Sequence, residues 1–312
     1  MKHVEASNVH QLLDYAGLVD ALEAAHARDV MPQAHAQIFQ DPGTKDNFVS
    51  LIAWESRRSI AVKLVGVFPA NTSLPEPEPS VQGLVALFSG ETGAPLMTCD
   101  GAALTFRKTA ADSALGARYL ARKDARVLLV VGAGGLAPHV IEAHRAVRPT
   151  IERVLIWNRN PARAQRLKDD LFRDEPQVSV ADDLDEALPE ADVISCVTMA
   201  TAPLVKGALL KRGAHVDLIG AYTPEMREAD DDVVRRAGRM FVDTREGCEG
   251  SGDVADPISR GLITREQIEA DLFDLATGRH KGRRSEDEIT VYKNAGGGHL
   301  DLFTIRHLYA RA

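Results

Sequence analysis

The sequence predicts an α/β protein of two domains, a mixed α+β unit followed by a parallel sheet flanked by helices. Its 312 residues are too many for one small core and suit two domains. About the first 100 residues combine a long helical pattern with short strand-like runs, whereas strands and helices alternate from Arg126 onward. Such alternation is typical of a parallel sheet with helices on both faces.

Composition and cysteine spacing argue against several classes of protein. A net charge of −8 argues against nucleic acid as a partner. No apolar run is long enough to cross a bilayer, and residues 1–10 lack the apolar core of a signal peptide. Cys99, Cys196 and Cys248 are spaced too widely and irregularly for a zinc site or a disulfide framework. We therefore expect a cytoplasmic protein without a metal site and without a membrane partner.

The first domain and the chain end carry these local patterns. Helical spacing of apolar residues predicts helices over 9–27, 109–121 and 300–310. Apolar and β-branched runs predict strands over 48–54, 59–68, 83–88 and 94–99. Prolines are expected to keep 70–80 out of regular structure, and Asp100-Gly101 is interpreted as a turn.

The second region alternates more regularly. Strands are predicted over Val127–Val131, 154–157, Val178–Val180, 193–197, 216–219 and Met240–Val242. Helices are predicted over 138–146 and Pro161–Leu171, the latter with proline at a favoured first-turn position.

A glycine-rich loop links the first of these strands to a helix. It reads Gly132-Ala133-Gly134-Gly135-Leu136-Ala137 and matches the G-x-G-x-x-A pattern of dinucleotide-binding turns. The first glycine permits a tight turn, the second lets the backbone approach a pyrophosphate, and the alanine keeps helix and strand close. The helix N-terminus then offers free N–H groups to the phosphates. A nicotinamide dinucleotide is the cofactor that this context predicts.

The end of the second strand indicates which dinucleotide binds. An NAD enzyme tends to place a carboxylate there for the ribose hydroxyls, but Trp157-Asn158-Arg159-Asn160 contains none. Arg159 would attract the 2′-phosphate of NADP(H), and Arg163 lies four residues further on. We therefore expect NADP(H) rather than NAD(H). Residues after the second and fourth strands complete the expected cofactor site: Asn158, Arg159, Asn160, Arg163, Val197 and Thr198.

Beyond that loop, the chain resembles the ornithine cyclodeaminase/mu-crystallin family over nearly its whole length. The resemblance is carried by residues 62–65, 68–71, 91–101, 104–105, 109–111, 132–137, 220–228, 242–243, 251–253 and 289–293, with Gly296 and Asp301. It implies a Rossmann dinucleotide-binding domain, at 113–292, inserted into a discontinuous α+β substrate and dimerisation domain, at 1–112 and 293–312. It also implies a homodimer and a small imino-acid or amino-acid substrate.

Three departures from the family pattern bear on activity. The arginine that commonly follows the Met-Pro-x stretch is replaced by Ala34, with His35 after it. The arginine of the family's Arg-Thr-Ala-Ala is Lys108, which cannot make a bidentate fork, with Arg107 just before it. The aspartate that handles an amine in ornithine cyclodeaminases corresponds to Tyr222.

Five residues are candidates for chemistry. Lys63 interrupts the apolar run 60–68, so its ammonium either meets a partner or substrate in a cleft or faces solvent by simple alternation. Lys108 or Arg107 holds a substrate carboxylate, or else is a surface cation at the start of a helix. His35 replaces the missing arginine, donates a proton, or is structural. Asp301 contacts the substrate nitrogen or the nicotinamide amide, or caps the last helix.

These expectations specify an NADP(H)-dependent oxidoreductase that reduces a C=N bond beside a carboxylate. The favoured substrate is a cyclic ketimine acid such as Δ1-pyrroline-2-carboxylate, which gives proline. The alternatives are ornithine cyclodeamination, alanine dehydrogenation, and a non-catalytic NADPH-dependent small-ligand-binding protein of the mu-crystallin type. The last is motivated by the altered carboxylate clamp at Ala34 and Lys108.

Overall fold

The chain forms two compact units, the second inserted into the first. The computed structural model describes residues 1–76 and 78–312. The first unit comprises Met1–Thr109 with Gly297–Ala312, and the second is Ala110–Gly296. Among the described residues, no helix has the length and apolar character needed to span a bilayer.

The first unit is built on a six-stranded sheet. Its strands are β1 (Lys2–Val4), β2 (Gln33–Gln40), β3 (Asn47–Glu55), β4 (Ser59–Val67), β5 (Val81–Ser89) and β6 (Pro95–Asp100), in the order β1-β6-β5-β4-β3-β2. Neighbours from β2 to β6 are antiparallel, and β1 pairs parallel to β6. Three helices accompany these strands: α1 (Ala6–Leu12), α2 (Tyr15–Ala27) and α3 (Gly101–Leu120), of which residues 101–109 belong to this unit.

Several local predictions for this unit need correction. The helix expected over 9–27 is two helices, because the Asp14 side chain accepts a hydrogen bond from Gly17 N at 2.8 Å and starts α2 afresh. The turn expected at Asp100 is the start of α3, since the Asp100 carboxylate accepts from Ala103 N at 2.7 Å. Part of 70–80 belongs to a short 3-10 turn at Pro69–Ser73, and Pro77 lies outside the described residues.

The second unit is an eight-stranded, fully parallel sheet, as the alternating pattern predicted. Its strands are β7 (Val127–Val131), β8 (Arg153–Trp157), β9 (Val178–Val180), β10 (Val193–Cys196), β11 (His215–Leu218), β12 (Met240–Val242), β13 (Ile268–Asp271) and β14 (Thr290–Lys293). Its helices beyond α3 are α4 (Ala137–Val147), α5 (Pro161–Leu171), α6 (Leu184–Ala187), α7 (Asp231–Ala237), α8 (Arg245–Cys248), α9 (Gly252–Ser259) and α10 (Leu272–Ala276).

The strand order of this sheet is β13-β12-β14-β11-β10-β7-β8-β9. Its β9-β8-β7-β10-β11 portion has the 3-2-1-4-5 order of the Rossmann fold, in which the order reverses between β7 and β10. Buried apolar side chains such as Leu129, Ile194 and Val216, on β7, β10 and β11, form part of the core of this unit. The predicted fold class is therefore confirmed. Strands β13 and β14 were not predicted, and β14 lies between β11 and β12.

The last helix, α11 (Gly298–Arg311), returns to the first unit and packs on α2 and on β3, β4 and β5. The sheet face towards α11 carries buried Ala53, Ala61 and Lys63. The opposite face carries large apolar side chains that remain exposed: Phe39, Phe48, Ile52 and Trp54. Strand β2 was missed in the sequence because all eight of its residues are exposed, so it lacks the one-sided apolar alternation of a half-buried strand.

Candidate functional site

Two lysines and one aspartate meet in the first unit. Lys63 projects from β4, Lys108 from α3 and Asp301 from the first turn of α11. The Lys108 ammonium lies 3.1 Å from Asp301 Oδ1, and the Lys63 ammonium lies 3.6 Å from the same oxygen. All three side chains are at least nine-tenths buried. Residues separated by up to 238 positions thus form one ion cluster.

Further hydrogen bonds fix the direction of both ammonium groups. Lys63 Nζ donates to the Thr105 hydroxyl at 2.7 Å, and that hydroxyl donates to the Gly101 carbonyl at 2.6 Å. Lys108 Nζ donates to the Gly297 carbonyl at 3.4 Å. Thr105 was missed as a site residue in the sequence. The available signal was its place within the family-like Leu104-Thr105 pair, one helical turn before Lys108.

The cluster carries more positive than negative charge. Burial lowers the pKa of Lys63, and the neighbouring Lys108 lowers it further, whereas Asp301 opposes both by raising it. Two ammonium groups facing one carboxylate leave a formal surplus of one positive charge when all three are ionised. Asp301 Oδ2 accepts no hydrogen bond from the residues that the structure describes. The arrangement is therefore suited to a small molecule that has both an anionic group and a hydrogen-bond donor.

A cavity of about 500 Å³ opens beside Lys63 within the first unit. Apart from Lys63 and Thr105, its lining includes apolar side chains of Val65, Val81 and Phe106. The ammonium and its threonine partner thus face a space large enough for a small organic ligand.

Two of the five sequence candidates do not join the cluster. Arg107 donates from Nε to His10 Nδ1 at 3.1 Å and stacks 4.4 Å from the centre of the Tyr15 ring, so it points towards α1 and α2. His35 pairs in register with Ile52 on β3, which places it on the exposed face opposite Lys63. Side chains alternate between the two faces of a sheet, so His35 cannot replace the missing arginine from within its own unit.

The glycine-rich loop lies at the carboxyl end of β7 and leads into α4. Gly132 has φ +118°, and a Cβ there would lie 2.9 Å from the Val197 carbonyl and 3.2 Å from the Thr198 methyl group, so only glycine fits. A Cβ at Gly134 would meet nothing within 4 Å, and Gly134 and Gly135 are exposed. Open space therefore lies over this loop, where the free N–H groups before α4 could receive phosphates. The loop fits a dinucleotide pyrophosphate.

The segment after β8 is ordered by its two asparagines. Asn160 caps α5 by accepting from Ala162 N at 3.1 Å, and Asn158 Nδ2 donates to the Asn160 carbonyl at 2.9 Å. Arg159 and Arg163 are exposed. The turn thus holds its arginines in solvent at the carboxyl end of the strand next to β7.

A further group of buried charges was not singled out in the sequence. Glu228 accepts hydrogen bonds from Thr198 and Gly220, while Asp253 and Lys293 form a fully buried ion pair at 3.5 Å. The available signal was that all three residues fall in segments that carry the family resemblance, at 220–228, 251–253 and 289–293.

Comparison with known proteins shows which family the chain belongs to. The model of the ornithine cyclodeaminase/mu-crystallin family matches residues 4–312. The chain belongs to the ornithine cyclodeaminase/mu-crystallin family. It is 42% identical over 291 residues to the Delta(1)-pyrroline-2-carboxylate reductase of Paracoccus denitrificans, a match that covers 93% of this chain and 91% of the relative.

Two solved structures are similar to this family member over its full length. The Thermococcus litoralis Delta(1)-pyrroline-2-carboxylate reductase in complex with NADH and L-proline has a TM-score of 0.92 and 28% identity, covering 100% of this chain and 97% of that one. An archaeal alanine dehydrogenase dimer with bound NAD has a TM-score of 0.90 and 26% identity, covering 100% and 96%.

The ion cluster generates a stability prediction. Replacing Asp301→Asn should lower the free energy of unfolding near pH 7 by about 3 kcal/mol, because two buried ammonium groups lose their shared counter-charge. The exposed Asp124, paired with Arg122, provides the matched control, and Asp124→Asn should cost less than about 1 kcal/mol. Urea denaturation of both variants measures the difference.

The same variants should respond differently to pH. A lysine whose pKa is lower in the folded than in the unfolded state binds fewer protons when folded, so stability rises with pH between the two values. Loss of Asp301 should lower the pKa of Lys63 further. The defect of Asp301→Asn should therefore shrink as the pH rises into the range in which Lys63 loses its proton. A defect that is absent near pH 7, or that grows with pH, would contradict this account of the cluster.

Proposed function

We propose that this protein is an NAD(P)H-dependent oxidoreductase that reduces a cyclic ketimine carboxylate, such as Δ1-pyrroline-2-carboxylate, to the cyclic amino acid. The observation that carries the proposal is the buried cluster of Lys63, Lys108 and Asp301, with its surplus positive charge and a carboxylate oxygen that accepts no hydrogen bond from the described residues. Similarity to two Delta(1)-pyrroline-2-carboxylate reductases supports the same reaction class.

Each member of the cluster has a role in this proposal. Lys63 and Lys108 bind the substrate carboxylate through charge-assisted hydrogen bonds. Thr105 holds the Lys63 ammonium in place, so less side-chain freedom is lost when the substrate binds. Asp301 accepts the N–H of the protonated imine and so stabilises the positive nitrogen that makes C2 electrophilic.

The reaction balances without a further acid in the site. The protonated C=N–H⁺ group accepts two electrons and a hydrogen at C2, which breaks the C=N π bond and leaves a neutral secondary amine. The bound dinucleotide supplies that hydrogen as hydride. Since the proton is already on nitrogen, no side chain has to deliver one there. Tyr222, at the place of the cyclodeaminase aspartate, is exposed, and this reduction has no need of an amine-handling carboxylate there.

Replacing either lysine tests the carboxylate site. Lys63→Met and Lys108→Met should each lower kcat/KM for Δ1-pyrroline-2-carboxylate by roughly 100-fold, because a buried charged partner of the substrate is removed. Arg107→Met is the matched control, since Arg107 is adjacent on the same helix but contacts His10 and Tyr15. Its kcat/KM should stay close to that of the native protein.

Purified protein is assayed by dinucleotide oxidation with Δ1-pyrroline-2-carboxylate and its six-membered analogue. A larger loss in Arg107→Met than in Lys108→Met would reassign the carboxylate site. Dinucleotide binding without turnover on either ring size would overturn the reductase and leave a nucleotide-dependent binding protein.

We propose further that NADP(H) is preferred to NAD(H). The support is local: Arg159 and Arg163 are exposed after β8, and no carboxylate in the turn at 157–160 would repel a 2′-phosphate. The similar solved structures hold NADH or NAD. The preference is therefore a property proposed from this chain's own turn and is separate from the reaction class.

Arg159→Ser should raise the KM for NADPH roughly tenfold while changing the KM for NADH little, because only the former has a 2′-phosphate for the guanidinium. Arg166→Ser, an exposed substitution on the same helix as Arg163, is the control and should alter neither value. Steady-state kinetics with both cofactors measure the two ratios. Equal effects of Arg159→Ser on NADPH and NADH would sink the assignment.

We also propose that the protein is a homodimer through the exposed face of the six-stranded sheet. Phe39, Phe48, Ile52 and Trp54 are large apolar side chains exposed on one face of two neighbouring strands, and exposed apolar surface of this kind is typical of interfaces. The similar archaeal alanine dehydrogenase structure is a dimer.

A charge on this face should weaken the dimer. Ile52→Lys should shift the mass measured by light scattering towards that of one chain, because an ammonium would be buried at the interface without a partner. Leu171→Lys is the control, since Leu171 is exposed on α5 of the second unit and does not belong to this sheet. A native protein that elutes as a monomer, or an Ile52→Lys protein of unchanged mass, would contradict the proposed interface.

A further inference from the structure

A single buried carboxylate ties together the ends of two strands in the second unit. Glu228 Oε1 accepts from both the backbone N–H and the hydroxyl of Thr198, each at 2.8 Å. Its other oxygen accepts from Gly220 N at 2.7 Å and from Ala221 N at 3.3 Å. Thr198 follows β10, and Gly220 and Ala221 follow β11. Four hydrogen bonds to one fully buried side chain thus fix two adjacent loops.

Those loops pack directly against the glycine-rich turn. A Cβ at Gly132 would come 3.2 Å from the Thr198 methyl group, and a Cβ at Gly220 would overlap the Thr198 carbonyl. Thr198 is therefore confined between Gly132 and Gly220, at the carboxyl ends of β7, β10 and β11.

This position separates two halves of the dinucleotide crevice. In a sheet of this order, a dinucleotide lies across the carboxyl ends of the strands, on both sides of the point between β7 and β10 where the order reverses. Arg159 is on the β8 side, which we assigned to the adenosine 2′-phosphate. Thr198 and Gly220 are on the other side and so border the nicotinamide half.

A buried ion pair supports the ionised form of Glu228. Asp253 Oδ1 accepts the Glu228 backbone N–H at 2.8 Å, and Asp253 Oδ2 lies 3.5 Å from Lys293 Nζ. Lys293 is fully buried, and among the described residues its ammonium has no hydrogen-bond partner. A buried cation without a close hydrogen-bonded partner is costly unless nearby anions offset it, and Glu228 and Asp253 supply that charge.

We propose that Glu228 is a positioning residue for the nicotinamide half of the bound dinucleotide. Its ionised carboxylate holds Thr198 and Gly220 against the glycine-rich turn and so shapes the floor on which the nicotinamide riboside rests. The inference rests on the proposed dinucleotide-dependent function, and it assigns to Glu228 a role that acts through Thr198 and Gly220, without contact to the substrate.

Titration of this carboxylate makes the role measurable. Burial raises the pKa of Glu228 to about 7; Lys293 opposes the increase and Asp253 adds to it. The Cys196 thiol also faces this group, and burial and the nearby carboxylates keep its pKa well above the ordinary range, so it stays neutral. Below the pKa of Glu228, one oxygen carries a proton, which weakens that oxygen as an acceptor and places a donor among the N–H donors that face it. Nicotinamide positioning should therefore weaken as the pH falls through about 7.

The experiment compares Glu228→Gln with Glu225→Gln by titration calorimetry. Glu225 is exposed three residues earlier on the same segment, so its variant makes the same chemical change away from the loops. The probes are NADPH with 2′-phospho-ADP-ribose, and NADH with ADP-ribose, each pair differing only by the nicotinamide. Glu228→Gln should weaken dinucleotide binding roughly tenfold, since its amide N–H₂ cannot accept from one of the two loops, and should leave the ADP-ribose fragments within about twofold.

The pH series provides the second readout. For the native protein, the ratio of dinucleotide to fragment affinity should fall between about pH 8 and pH 6, while Glu228→Gln should show a flat ratio. Equal weakening of dinucleotide and fragment by Glu228→Gln, or a ratio in Glu228→Gln that falls with pH as it does in the native protein, would overturn the proposal. If Glu228→Gln does not fold, a flat ratio in the native protein overturns it equally. Native protein that binds neither dinucleotide would instead remove the proposed function itself.

Discussion

The burial of two ammonium groups against one carboxylate is the constraint on which the first unit depends. Lys63, Lys108 and Asp301 come from a central strand, the interior of α3 and the final helix, and none of the three could be buried alone at acceptable cost. Asp301 is present only because α11 returns to the sheet after the whole second unit has been traversed. The late return of the chain therefore completes both the packing of the sheet and the charge balance of the proposed substrate site.

The second unit also buries charged groups, but there negative charges predominate. Its buried carboxylates outnumber the single lysine at the carboxyl ends of β10 and β11, and they are stabilised largely by backbone N–H groups. Hydrogen bonds of this kind cost little flexibility, because the donors belong to loops that must be ordered in any case. One charge cluster thus forms the proposed anion site, and the other fixes two loops beside the glycine-rich turn.

Much of the fold was predictable because its signals are local. Val127–Val131 and the glycine-rich turn after it were predicted as observed, since a buried parallel strand is a continuous apolar run and the turn requires glycine. Lys63 and Lys108 were identifiable because a cation in an apolar run or family motif is conspicuous. The exposed strand β2 was not predictable, because a strand without a buried face lacks apolar alternation. The helix break at Asp14 was also missed, because it depends on a side-chain cap and the helical spacing of apolar residues continues across it.

The sequence by itself determined the fold class, the family and the residue types that the proposed chemistry requires. Only the tertiary structure decided which of these residues meet. Strand register places His35 and Lys63 on opposite faces, and helix geometry points Lys108 to Asp301 while it turns Arg107 to Tyr15. The proposed role of Glu228 likewise depends on backbone donors from two loops. Which side chains meet is decided by contacts between segments that are far apart in the chain. Local sequence patterns carry no information about such contacts.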